Sequence, residues 1–172
     1  MNQAHNAPII AISGKSGCGN STVSRLLAER LGRSLINYTL RNMAQDVGME
    51  LSQLLQLASS DPSWDRKLDA HQVELARKGP SVIGSRLAVW MLPDAQLSVY
   101  LYASPEVRAA RIHKREGGSL ESVLEQTKRR DEGDHARYLD IYTIDTDSYG
   151  FVDLIINTDR LQPDRIVDII VA

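Results

Sequence analysis

Short apolar runs alternate with segments of helical periodicity along almost the whole chain. The first run, Ile9 to Ile12, precedes a glycine-rich turn and a segment in which Val23, Leu27 and Leu31 recur at helical spacing. Apolar runs of this length bounded by turn residues predict buried strands, and apolar positions every three to four residues predict amphipathic helices. By the same criteria, we expect further strands at residues 34–37, 81–85, 97–102 and 153–157.

Capping residues and prolines divide the remaining sequence into helices. Thr39 and Ser104 are suited to the position just before a helix, and Pro62 to the first helical position. The predicted helices cover residues 20–31, 40–47, 51–60, 62–78, 105–115, 120–142 and about 163–172. Strands that alternate with helices throughout favour an α/β fold, a three-layer sandwich with a parallel five-stranded sheet and helices on both faces.

Composition limits the kind of protein and its partners. The 172 residues are enough for one domain, spanning 1–172, and 20 basic residues nearly balance 22 acidic ones. We therefore expect small-molecule partners, with no nucleic acid and no membrane. A single cysteine, Cys18, and histidines without metal-ligand spacing fit a reducing compartment. Without a signal-like N-terminus or a membrane-length apolar segment, the sequence predicts a soluble, cytoplasmic protein, which we expect to be a monomer.

The turn after the first strand carries a phosphate-loop pattern. Gly14, Gly19 and Ser21 match G-x-x-x-x-G-K-[ST], with Asn20 at the lysine position. Loop N–H groups and the helix N-terminus bind phosphate, and the Ser21 hydroxyl is placed to ligate Mg²⁺. A tight strand-to-helix turn without a ligand is the alternative, which three glycines, Ser-Thr and the preceding strand disfavour. The candidate ATP-binding residues are Gly14, Lys15, Gly17, Cys18, Gly19, Asn20, Ser21 and Thr22.

The missing loop lysine would weaken a kinase without abolishing it. Loss of one charge-assisted hydrogen bond costs roughly 1.5–3 kcal/mol, which is about ten- to 150-fold in rate. Other cationic side chains of the chain could supply the charge of the missing lysine. Arg86 follows the predicted strand 81–85, at the sheet edge where ligands gather, although an ordinary surface arginine is the alternative.

Two helices each carry charged residues on one face, separated by Gly117-Gly118. The two stripes are Arg108, Arg111 and Arg115, and Arg130, Asp134 and Arg137. Spacings of three, four and seven residues place each stripe along one side of its helix. A solvated, salt-bridged face is the alternative for either stripe alone. Together, joined by a glycine hinge, they predict a small helical arginine-lined lid around residues 108–137.

Beyond the loop, the chain resembles the cytidylate kinases over nearly its whole length, most closely the compact archaeal type of this nucleoside monophosphate kinase family. The matching stretches are Arg41-Asn-Met-Ala, Gly48-Met-Glu-Leu, Asp61-Pro62, Arg86-Leu-Ala-Val-Trp90, Arg108-Ala-Ala-Arg-Ile112, Arg115-Glu-Gly, Arg137-Tyr138 and Ile144-Asp145. The resemblance implies transfer of the ATP γ-phosphate to CMP, with dCMP as a second candidate acceptor and Mg²⁺ as the cofactor.

The resemblance also implies roles for individual residues. Acceptor-binding residues would be Arg41, Arg86, Arg111, Arg130, Asp134 and Arg137. Arg115, together with Arg129, would cover the donor. Because arginine is always charged and matches phosphate oxygens, Arg86, Arg111 and Arg137 are the candidate catalytic residues that would replace the loop lysine.

The chain departs from the family pattern beside the predicted site. Asn20 replaces the loop lysine, and Gly84 and Ser85 stand where an acidic residue and a glycine are expected before Arg86. These departures leave a second hypothesis open, a catalytically degenerate kinase-like protein that binds nucleotide or acts in regulation.

Overall fold

Five parallel strands form one sheet in a computed structural model that describes residues 8–172. The strands are β1 (Ile9–Ser13), β2 (Ser34–Ile36), β3 (Ser81–Gly84), β4 (Leu97–Tyr102) and β5 (Leu154–Asn157). Their order across the sheet is β2-β3-β1-β4-β5, and every neighbouring pair is parallel. The predicted parallel five-stranded sheet is confirmed, with strand ends that differ by one residue at most from those expected.

Eight helices connect and cover these strands within residues 8–172. They are α1 (Asn20–Leu31), α2 (Leu40–Asp46), α3 (Leu51–Ser60), α4 (Ser63–Ala76), α5 (Ala88–Met91), α6 (Pro105–Glu116), α7 (Leu120–Tyr142) and α8 (Pro163–Val171). The Thr39 side chain caps α2, and Ser104 caps α6, as predicted. Pro62 instead precedes α4, where the Asp61 carboxylate accepts from the Ser63 N–H. The one-turn helix α5 was not predicted, because four residues are too few to show a periodicity.

Two apolar layers hold the helices against the sheet. On one face, Ile10, Ile12 and Leu101 pack with Leu27 of α1 and Val167 of α8. On the other, buried residues of β1 and β3 pack with the end of α4 and with α5; they are Ile9, Ala11, Ile83, Ala76, Val89 and Leu92. The predicted helix–sheet–helix sandwich is therefore confirmed.

The strand order places a crevice at the carboxyl end of β1. The chain runs from β1 to β2 and β3 on one side of the sheet, and β4 and β5 lie on the other side. Parallel α/β sheets bind ligands at such a reversal of strand order. Two further helical units lie at this edge of the sheet. One consists of α2, α3 and α4, and the other, α6 with α7, contains the residues of the predicted lid.

A buried ion pair joins the two helices of the predicted lid. Arg108 on α6 is 3% exposed, and its guanidinium donates to both carboxylate oxygens of Asp131 on α7, at 3.1 and 2.5 Å. It also donates to the carbonyls of Ser16 and Ala103. The lid helices are therefore fastened to each other and to the glycine loop, while movement of the lid stays a prediction. No helix within residues 8–172 is long and apolar enough to cross a membrane.

Candidate functional site

The glycine loop after β1 is shaped by close contacts that exclude side chains. A Cβ on Gly14 would lie 2.5 Å from both the Cys18 Sγ and the Leu101 carbonyl oxygen. Gly17 has φ 85°, and a Cβ there would lie 2.9 Å from the Arg108 carbonyl oxygen. Both positions therefore require glycine, which lets the loop fold tightly against β4 and α6.

Side chains from outside the loop hold its carbonyl groups. Arg111 Nη1 donates to the carbonyls of Gly17 and Cys18 at 3.3 and 3.4 Å, and the Thr158 hydroxyl donates to Cys18 at 3.1 Å. Arg111 also donates to the Thr158 hydroxyl and carbonyl. Because the first N–H groups of α1 have no helical partner, the loop presents donors to an anion at this point.

A cleft of about 750 Å³ opens over the loop, and we call it the donor cleft after the predicted ATP-binding role of the loop. The eight loop residues predicted to bind ATP line it, and so do Arg115, which was predicted to cover the donor, and Arg111. Sequence reasoning missed a further part of its lining, which is formed by residues 159–163 and Ile166. Their position after the carboxyl end of β5 is the signal that could have identified them, because strand ends meet at one edge of a parallel sheet. Burial raises the pKa of the Cys18 thiol to about 11, which fits a packing role.

Lys15 does not replace the missing loop lysine in this structure. Its Nζ lies 2.7 Å from the Asp147 carboxylate, in the segment between α7 and β5, and its side chain is 33% exposed. His135 of α7 lies 3.6 Å from the same carboxylate group. Lys15 therefore borders the donor cleft with its charge paired to Asp147, and its contact with ATP stays a prediction.

Asn20 holds the ends of two strands together. Its side-chain nitrogen donates to the carbonyls of Ile12 and Ser85, both at 3.3 Å, and its oxygen accepts from the Ser24 hydroxyl at 3.1 Å. Ile12 belongs to β1, and Ser85 directly follows β3. The residue at the lysine position thus fixes the distance between the glycine loop and the segment that carries Arg86.

The departures at Asn20 and Gly84 are physically linked. A Cβ on Gly84 would lie 2.2 Å from the Ser24 hydroxyl oxygen and 2.8 Å from the Asn20 side-chain oxygen. Any larger residue at position 84, including the acidic one of the family pattern, would have to displace the Asn20–Ser24 hydrogen bond. With Asn20 and Ser24 as they are, this position requires glycine.

We expect Gly84→Ala to lower the free energy of unfolding by about 1–3 kcal/mol, because the added methyl overpacks a closed contact. Urea denaturation of the variant and the wild type measures this change. The control is Gly133→Ala on α7, where a Cβ would meet nothing within 4 Å, and alanine should stabilise the helix by roughly 0.5–1 kcal/mol. A Gly84→Ala protein as stable as the wild type would contradict the packing argument.

A second cleft, of about 600 Å³, lies between α2, α4 and the end of β3, and we call it the acceptor cleft after the role predicted for Arg41 and Arg86. Two of the six predicted acceptor-binding residues, Arg41 and Arg86, line it, and their contact with an acceptor stays a prediction. Its remaining wall includes residues that sequence reasoning missed, which are Tyr38, Leu55, Leu68, Asp69, Gln72 and Tyr138. The only signal for Asp69 and Gln72 was polarity at helical spacing on α4. Residues Gly84, Ser85 and Arg86 line both clefts, so the two meet there.

Three of the predicted site residues lie on the long helix α7, and each contacts a different partner. Arg130 donates to the Ser16 hydroxyl at 3.3 Å, beside the loop. Asp134 pairs with Arg86 at 2.9 Å, and burial raises the pKa of its carboxyl group. Arg137 donates to the Asp65 carboxylate and the Ala58 carbonyl. These three side chains therefore bind α7 to the loop, to the meeting point of the clefts and to α3 and α4.

The arginine stripe on α6 differs from the prediction of one shared environment. Arg108 is buried against Asp131, Arg111 lies on the loop carbonyls, and Arg115 is exposed and pairs with Glu116. The structure places Arg111 on the donor cleft and not on the acceptor cleft, and its predicted contact with the acceptor phosphate stays a prediction.

Solved structures similar to this chain share its fold. Shikimate kinase from Bacteroides thetaiotaomicron superposes with a TM-score of 0.63, at 16% identity, covering 95% of each chain. A protein of unassigned function from Eubacterium ventriosum gives a TM-score of 0.67 at 22% identity, covering 95% of this chain and 96% of that one. At such identities the likeness supports the fold alone.

Sequence relatives are much closer. Cytidylate kinase 2 of Borreliella burgdorferi is 44% identical over 165 residues, covering 94% of this chain and 92% of the relative. Cytidylate kinase of Archaeoglobus fulgidus is 40% identical over 164 residues, covering 94% and 91%. The profile of the cytidylate kinase-like family matches residues 9–160. The resemblance seen in the sequence is thus confirmed, and the chain belongs to the cytidylate kinase-like family.

Proposed function

We propose that this protein is an ATP-dependent nucleoside monophosphate kinase that phosphorylates CMP, with dCMP as a second acceptor. The observation that carries the proposal is the meeting of two clefts at Gly84, Ser85 and Arg86. One cleft is built on a phosphate-binding loop, and the other is lined by arginines. Phosphoryl transfer from ATP to a nucleoside monophosphate requires the γ-phosphate of the donor and the phosphate of the acceptor to meet in line at one point. Relatives named cytidylate kinase support CMP as the acceptor.

In the proposed mechanism the protein positions the substrates and neutralises charge. The N–H groups at the start of α1 would hold the β- and γ-phosphates of the donor. Arg86, at the junction of the clefts, would hold the acceptor phosphate in line with the γ-phosphate, and Asp134 would orient Arg86 through their ion pair. Arg111 would neutralise the charge that develops during transfer from the donor side.

A divalent cation fits one side of the donor cleft. The Ser21 hydroxyl lines the cleft in the first turn of α1 and accepts no hydrogen bond from residues 8–172. It could ligate Mg²⁺ together with donor phosphates and water, which are the oxygen ligands that Mg²⁺ prefers. Bound there, the cation would supply charge neutralisation on the donor phosphates.

A coupled assay with ATP and Mg²⁺ across CMP, dCMP, UMP and AMP tests the proposal. We expect turnover with CMP, and a higher kcat/KM for CMP than for UMP or AMP. The alternative of a degenerate kinase, motivated by Asn20 and by the pairing of Lys15, predicts calorimetric binding of nucleotide without turnover. Absence of turnover with every acceptor would reject the proposed activity.

A further inference from the structure

The side chain of Asn20 has both of its hydrogen-bond donors in use. The two N–H groups of its amide donate to the carbonyls of Ile12 and Ser85, and its oxygen accepts from the Ser24 hydroxyl. A primary amide has no third N–H, and an oxygen acceptor cannot bind a phosphate oxygen. The side chain at the lysine position of the loop therefore has no donor to offer to ATP, and any contact of Asn20 with the donor phosphates falls to its backbone N–H.

The Ser85 carbonyl belongs to the peptide bond that leads into Arg86. It accepts from the Asn20 amide and also, at 2.9 Å, from the hydroxyl of Ser13, a buried residue at the end of β1. The Ser85 N–H donates to the Ile12 carbonyl at 3.1 Å. Both backbone polar groups of Ser85 are thus tied to the end of β1 and the start of α1, which fixes the point where the Arg86 side chain begins.

The glycine loop does not depend on the Asn20 amide for its shape. The carbonyls of residues 16–18 accept hydrogen bonds from Arg108 and Arg111 of α6 and from Thr158, directly after β5. The donors that the start of α1 offers to an anion are backbone N–H groups, which are present whichever side chain stands at position 20. Loss of the amide should therefore disturb the segment that carries Arg86 more than the donors of the loop.

We propose that Asn20 is a positioning residue for the acceptor: by holding the Ser85 carbonyl, it sets where Arg86 meets the acceptor phosphate, although Asn20 lies in the loop that binds the donor. This inference rests on the proposed monophosphate kinase function. The guanidinium of Arg86 is held at its other end by Asp134, at 2.9 Å. The backbone and the head of Arg86 are then both fixed, and a displacement of about 1 Å in such a group can cost about 100-fold in rate.

The test measures KM separately for the two substrates. Asn20→Ala should raise KM for CMP by about tenfold and change KM for ATP less than twofold, because two hydrogen bonds of the amide are lost at the Arg86 segment. Ser13→Ala removes the other donor to the same carbonyl from a different element, and it should give the same pattern. This second, smaller change carries the test if Asn20→Ala does not fold, which circular dichroism determines.

Two further variants serve as comparisons. Ser21→Ala alters the residue next to Asn20 and should give the opposite pattern, a raised KM for ATP with KM for CMP unchanged, since the proposed mechanism assigns its hydroxyl to the cation on the donor phosphates. Gln56→Ala removes an exposed amide on α3 that lines neither cleft, so it should leave both KM values unchanged.

Three outcomes in folded variants would overturn the inference. They are equal rises in KM for both substrates, a rise confined to ATP, and two unchanged KM values. Calorimetric Kd values for CMP and for ATP, measured on the same proteins, separate the inference from the proposed function. If the wild type binds CMP without phosphorylating it, the proposed activity fails, and the comparison of Kd values still decides whether Asn20 acts on the acceptor. If the wild type does not bind CMP, both fail.

Discussion

Arg111→Met should lower kcat by about 100-fold or more, because the proposed mechanism places this guanidinium next to the transferring phosphates, where a preorganised charge is worth about 3–4 kcal/mol. The guanidinium is held at the loop by four hydrogen bonds, which fix it before the substrate arrives. Steady-state kcat and KM for ATP and CMP, with circular dichroism to confirm folding, measure the effect.

The control for Arg111 is Arg25→Met on α1, an exposed arginine paired with Glu29 one helical turn away. This change removes the same guanidinium group from an exposed position away from the site, so kcat should change less than twofold. Stability should also change little, because exposed ion pairs contribute about 0.2–1 kcal/mol. If Arg111→Met raised only KM for ATP and left kcat intact, Arg111 would be a loop-positioning residue without a part in neutralising the transition state.

The sequence predicted the fold well because local signals and the final packing agree. β4 was bounded correctly at 97–102, since it is an apolar run between turn residues. Helix α7 was also bounded correctly, because its helical pattern begins directly after the interruption at Gly117-Gly118. Such signals depend on residues close in the chain, so they can be read without the tertiary structure.

The site was predicted only in part. Residues that are signalled by a local spacing were predicted, whereas contacts between residues far apart in the chain were missed. The loop residues were found because their spacing is itself the signal. The partner of Arg137, the carboxylate of Asp65, is separated from it by 72 positions, and no pattern in the sequence joins them. The role of Asn20 was missed for the same reason, since its acceptors on Ile12 and Ser85 meet only when β1 and β3 pair.

Gly84 shows how a departure from a family pattern can be consistent with folding. From the sequence alone, Gly84 looks like the loss of the acidic residue that the family pattern has at this position. The structure shows that the Asn20 oxygen and the Ser24 hydroxyl occupy the space in which that side chain would begin. Asn20 and Gly84 therefore form one packing unit, and they cannot be counted as two independent losses of catalytic groups.

Asp131→Ala should destabilise the protein by about 3–5 kcal/mol, because it leaves the Arg108 guanidinium buried without its counter-ion. Arg108 is 3% exposed and the Asp131 side chain 15%. For a chain of this size, the loss should lower Tm by roughly 6–20 °C. Thermal unfolding followed by circular dichroism measures it. The control is Glu125→Ala, which breaks the exposed pair with Arg129 on the same helix and should cost less than about 1 kcal/mol.

The double variant Arg108→Met with Asp131→Leu separates folding from function. Replacing both charges by apolar groups of similar size should recover most of the stability that Asp131→Ala loses, since no buried charge remains unpaired. The hydrogen bond from Arg108 to the Ser16 carbonyl is lost as well, so the loop should be held less firmly and KM for ATP should be higher than in the wild type. A double variant that is as unstable as Asp131→Ala would mean that the ion pair itself, and not the burial of an unpaired charge, holds α6 and α7 together. Recovered stability with a wild-type KM for ATP would show that Arg108 has no part in positioning the glycine loop.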